Sequence, residues 1–136
     1  GAYAVYDNNS ANADIYGHLY NWYVVENQQL CMAGWHVPTD DEFIILESYF
    51  EGDEIPSALM ATEIGGTNES GFTALPSGLR NGGNAIYYEL GENTYYWSST
   101  SRLDFDADAW IRWLFNEYSF CEKAGGLKKS GFSVRR

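Results

Sequence analysis

The first 79 residues of this 136-residue chain contain no lysine and no arginine. The eight basic residues start at Arg80, and Lys123, Lys128, Lys129, Arg135 and Arg136 crowd the end. Against 19 acidic residues they leave a net charge of -11. A field of that sign repels nucleic acid and anionic lipid, so neither is an expected partner. The basic end reads as neutralisation of an acidic body rather than as an anion site. Cysteine is almost as scarce. Cys31 and Cys121 allow one bridge at most, and no C-x-x-C pair or zinc spacing occurs. The two are expected to be unbridged, because nothing around them holds them together. No apolar run approaches the roughly 18 residues of a membrane span, so this chain is not expected to insert. It begins at Gly1, and the lack of a signal peptide says nothing about its compartment.

Catalytic signatures are missing too. There is no phosphate loop, dinucleotide fingerprint or nucleophile elbow. His36, just before a helix cap, reads as a structural hydrogen-bonder rather than a base. Asp104, Asp106 and Asp108 start like a calcium loop, but its glycine would fall on Ala109 and its closing glutamate on Phe115. No metal site and no cofactor is expected, although three neighbouring carboxylates leave a weak cation open.

Aromatic residues are plentiful at 17%, with five Trp and eleven Tyr, enough to serve both a core and a contact surface. Fourteen Gly against three Pro indicate many turns. The length suits one domain. Thr39 and Glu42 form a T-x-x-E capping box, and Asp40 and Asp41 suit the positive start of a helix. That helix is expected over 40–50, and a shorter one over 57–62. Residues 14–25 read as a strand passing into a helical turn. Short strands are expected over 72–75, 85–89, 94–99, 109–115, 118–123 and 132–135. Early helices followed by many strands give an α+β fold with mostly antiparallel strands.

The last forty residues look like a fixed frame with arbitrary contents. Trp97-Ser98-Ser99-Thr100 opens it and Gly131-Phe132-Ser133-Val134-Arg135 closes it. In the strand 109–115, one face carries Trp110, Arg112 and Leu114, and the other Ile111, Trp113 and Phe115. Both faces are bulky. Either the strand is buried twice over, or one face is a binding patch. Trp22, Trp35, Trp97 and Trp110 are read as core, and Trp113 as the odd one out. The binding reading assigns a ligand face to Ile111, Trp113, Phe115, Glu117, Tyr118, Phe120 and Glu122, with Phe105 at its edge.

Five segments run in order along nearly the whole chain: Tyr16–Tyr23, Leu30–Asp40, Thr67–Pro76, Trp97–Thr100 and Gly131–Arg135. Together they resemble the Fibrobacter succinogenes major paralogous domain family. The resemblance implies a C-type-lectin-like fold, similar to that of formylglycine-generating enzymes. It also implies surface or secreted proteins, some diversified by retroelements in a C-terminal variable region. Residues 1–96 would then be scaffold and 97–136 the ligand-binding region. Ile111, Trp113, Phe115, Glu117, Tyr118, Phe120, Glu122, Ala124, Gly125, Gly126 and Leu127 would be variable filler. Family members commonly carry Cys where this chain has Ala4 and Arg136, so a terminal disulfide would be lost here. The copper-binding cysteine pair of the enzymatic relatives is absent, so their catalysis does not carry over. The resulting expectation is a monomeric, non-enzymatic domain, extracellular or on a cell surface, binding an unknown protein or glycan. The alternative is a non-diversified adhesive or structural module binding polysaccharide.

Overall fold

The computed structural model describes residues 1–28, 30–115 and 120–136, with backbone alone at Phe115 and Phe120. In chain order the elements are β1 (Tyr3–Ala4), α1 (Ser10–Tyr16), β2 (Leu19–Tyr20), α2 (Trp22–Glu26), α3 (Asp40–Glu47) and α4 (Glu54–Leu59). They are followed by β3 (Ser77–Arg80), β4 (Tyr87–Leu90), β5 (Asn93–Ser101), β6 (Asp108–Phe115) and β7 (Phe120–Leu127). Helices α1 to α4 precede strands β3 to β7 of the main sheet, in the expected α+β order, while β1 and β2 flank α1. Among the described residues no helix is long and apolar enough to cross a membrane.

The capping box forms as read. The Glu42 amide donates to Thr39 Oγ1 at 3.2 Å, and the Thr39 amide donates to Glu42 Oε2 at 2.8 Å. α3 starts where the box sets it but is shorter than expected, giving way to turns after Glu47. The second helix begins earlier than expected, at Glu54. Residues 14–25 do contain a strand running into a helix, β2 then α2. The helix α1 was not foreseen. It buries no residue and rests on Asn9, whose side chain accepts from the Ala11 amide at 3.1 Å. The segments 72–75 and 132–135 form isolated bridges rather than strands.

β1 and β2 make a small antiparallel ribbon. The main sheet runs β4-β3-β5-β6-β7, antiparallel except for β3 beside β5. Alternation along β5 and β6 divides the core in two. Tyr95, Trp97 and Ile111 face Trp22, Val25, Val37 and Phe132. Tyr96 and Leu114 face Phe43, Leu59, Met60, Phe72 and Ala74. Trp97 is fully buried, and its indole N–H donates to the Tyr20 carbonyl at 2.7 Å.

The segment Gly131–Ser133 closes the molecule. Tyr20 and Phe132 exchange two backbone bonds, at 2.8 and 3.0 Å, and Arg80 and Gly131 exchange two more. Ser133 bonds along β5, donating to Tyr95 and accepting from Trp97. Its hydroxyl lies 2.7 Å from that of Ser77. Three separate stretches of chain are thus held by one short strip.

Candidate functional site

β6 lies between β5 and β7 and is covered on both faces. This corrects the reading of Ile111 as part of a free patch. Ile111 is only 3% exposed and packs in the first core. It belongs to the scaffold, because α2 and the closing strip lie over that face. Trp113 is half-buried. It stacks on Tyr95 at 5.4 Å between ring centroids, and Tyr95 stacks on Phe132 at 5.3 Å. Glu122, directly across from Trp113, is exposed. The backbones of Phe115 and Phe120 pair with each other, while Glu117, Tyr118 and the side chains of Phe115 and Phe120 lie outside the described residues.

Phe105 does not border this group. It sits in the β5–β6 loop, at the opposite end of a strand of eight residues. At about 3.4 Å per residue that separation exceeds ~20 Å. The expected ligand face therefore divides into two ends of one hairpin. Gly126 is also misplaced as free filler. A Cβ there would meet Phe132, Ile111 and Trp97 at 2.6, 2.8 and 3.0 Å. Ala124 packs against the same core.

The other face of β6 hides a charge network. Arg112 is 1% exposed. Its Nη1 donates to Asp40 Oδ1 at 2.7 Å, and its Nε donates to Glu47. Lys123 donates to the second Asp40 oxygen at 2.6 Å. Burial alone would raise the Asp40 pKa, but hydrogen bonds from Lys123 and Arg112 outweigh it and hold the carboxyl below its ordinary range. Burial and the Glu47 carboxylate push the Cys121 thiol up to about 12. This network went unread in the sequence. Its one signal was a lone arginine amid apolar neighbours, which must find buried carboxylates.

Trp110 lies on that same face but near the start of β6, close to the β5–β6 loop, and is only half-buried rather than core. Arg102 lies over its ring at 4.7 Å and Lys123 at 4.2 Å, each a cation–π contact. Arg102 also pairs with Asp104 at 2.6 Å and reaches Asp108 at 3.7 Å. Two of the three carboxylates considered for a cation thus face a guanidinium. Among the described residues no group of three acidic, histidine or cysteine side chains is arranged to hold a metal. Gly125, opposite Trp110, leaves room for Arg102, since a Cβ there would fall 2.3 Å from its Nη1.

The same end of the hairpin carries Leu103, Phe105 and Leu127, which are 97%, 57% and 43% exposed. Leu127 pairs with Asp108, and the Lys128 amide donates to Ala107 at 2.9 Å, so the loop and the end of β7 are joined. The ensemble is an apolar tip with an aromatic shelf and cations beside it. Such a surface suits contact binding with a polar rim.

Trp35, read as core, is 61% exposed. The turn Met32–Trp35, closed by a 3.0 Å bond and followed by an extended segment, leaves its indole outside both cores. His36 does act as a hydrogen-bonder, its Nε2 lying 2.8 Å from Glu42 Oε1.

The family model for the Fibrobacter succinogenes major domain matches residues 1–136. No curated protein and no solved structure matches the chain.

Proposed function

The chain belongs to the Fibrobacter succinogenes major domain family, and from that premise we propose that it is a non-enzymatic ligand-recognition domain of a bacterial or phage surface or secreted protein. The carrying observation is the tip where Leu103, Phe105 and Leu127 stand exposed beside Trp110. Exposed apolar groups gathered in one place mark contact surfaces. The proposed scaffold is C-type-lectin-like, a reading supported by the way the closing strip joins β2 to the main sheet. The absence of catalysis is part of the proposal. It is supported by the Cys121 thiol, held protonated, and by Asp40 and Glu47, both engaged by Arg112. The domain is proposed to act as a monomer outside the cell on a protein or glycan ligand.

Diversification of the C-terminal region is proposed for outward positions alone. Glu122 and Leu127 are exposed and can change freely, whereas Ile111 and Gly126 are fixed by packing. A neighbouring near-identical DNA template differing only at adenines would establish it, and differences spread over all four bases would exclude it. The test of recognition is a screen of the intact domain on arrayed envelope proteins and glycans. Leu103→Ser with Phe105→Ser should weaken any binder at least about tenfold, with stability changed by no more than ~0.5 kcal/mol. Undiminished binding would place recognition elsewhere and defeat the reading.

A further inference from the structure

Away from the hairpin tip, a cleft of about 420 Å³ opens between the turn at Trp35, the start of α3 and the chain end. Phe72 and Phe43 form part of its floor, Trp35 stands at one wall, and Arg135 and Arg136 at another. Its volume falls within the range of small-molecule sites.

Not every cation of this chain is neutralised by a carboxylate. Arg102, Arg112 and Lys123 each pair with carboxylates. Among the described residues Arg135 and Arg136 pair with none. Arg135 lies 5.6 Å over the Phe72 ring and makes one long bond, 3.4 Å, to the Gly71 carbonyl. Arg136 donates to the Leu30 carbonyl at 2.9 Å. Most of their N–H donors remain available, and a guanidinium fork fits a carboxylate with two bonds. Glu42 also lines the cleft, but its oxygens already accept from the Thr39 amide and meet His36, each at 2.8 Å.

We propose that this cleft binds a small monocarboxylate carried on a ring, the ring lying against Trp35 and the carboxylate on Arg135. The net charge of -11 limits the choice. A polyanion would meet the repulsion of the whole body, whereas a single charge gains the two local arginines and little of that penalty. The ring requirement comes from Trp35, a large exposed aromatic face beside the cations. The basic end of the chain thus does more than neutralise.

A ligand of this size binds on the order of 1 mM. The test follows the Trp35 indole N–H in a two-dimensional NMR titration, with benzoate, methyl glucuronoside, and their neutral carboxamides as probes. Trp35→Phe assigns the resonance among the five indoles. Saturable shifts with either acid, at least tenfold weaker with its amide and with Arg135→Gln, are the expected result. Benzoate alone would identify an aromatic acid, and the glucuronoside a sugar acid. Arg135→Lys keeps the charge without the fork and should bind between the two. Equal binding of acid and amide overturns the proposal, as does silence of all probes at about twentyfold the expected constant. A melting curve for Arg135→Gln separates lost binding from lost fold, and Trp35→Ala, at an exposed side chain and followed at the backbone amide of His36 because its own indole is gone, gives a second variant that should also lose binding.

Discussion

Replacing Arg112 with methionine removes a buried guanidinium while keeping apolar volume in its place, so little cavity is left. Two carboxylates then lose their partner. Breaking a buried ion pair from one side costs about 3–5 kcal/mol. The lower end applies here for two reasons. Asp40 retains Lys123 at 2.6 Å, and Glu47, with a side chain 22% exposed, can turn to water. A loss of ~3 kcal/mol is a large part of the 5–15 kcal/mol typical of a domain. It should lower Tm by roughly 12 °C for a chain of this length. Urea titration at constant m-value measures the change, and calorimetry checks it. Adding Glu47→Gln should recover part of the loss, since an unpaired charge disappears. The pH dependence supplies an independent reading. The Asp40 pKa is lowered in the folded state, so its contribution is present above its unfolded value near 4 and is lost as pH falls through the folded one. That acid-sensitive part should shrink in Arg112→Met. A cost under ~1 kcal/mol would show that the network contributes no more than a surface pair, and that the burial argument is wrong.

Thr39→Ala should cost about 1 kcal/mol by removing one half of the capping box, measured by urea denaturation. Ile111→Ala should cost about 2–5 kcal/mol whereas Phe105→Ala stays within ~0.5, and similar costs at both would contradict the placement of the two side chains. Gly126→Ala should cost roughly 1–3 kcal/mol, because its methyl group has no room against Phe132 and Ile111. A disulfide-exchange reagent at pH 8 should leave Cys121 untouched in the native protein, its thiol being pushed up to about 12, and should find two thiols after denaturation.

What the sequence disclosed was what local chemistry decides. Thr39 and Glu42 are three residues apart and bond to each other's backbone, so the start of α3 was legible. Strand alternation in 109–115 was legible too, down to the two alternatives it posed. Choosing between them needed the third dimension, since only the path of α2, α3 and α4 shows that both faces of β6 are covered. α1 escaped notice because it has no buried face and thus no periodic pattern. The exposed Trp35 and half-buried Trp110 were misplaced for one reason: an aromatic residue carries no mark of which side it faces. Arg112 and Asp40 bond across 72 residues of sequence, and Trp35 and Arg135, which line one cleft, are 100 residues apart (135 − 35). No spacing rule connects either set.

The closing strip Gly131–Ser133 gives the chain an order of assembly. β2, β3 and β5 all precede it in the chain, and each keeps further backbone groups unmatched until these three residues are made. Phe132 is likewise the last large side chain to enter the first core. Native closure therefore waits until the helices and the main sheet have been synthesised. A frameshift or premature stop anywhere upstream forfeits the strip and with it the bonds to β2, β3 and β5. Folding is thereby made conditional on residues far along the chain, and a chain ending at Ser130 should fail to give a cooperative melt.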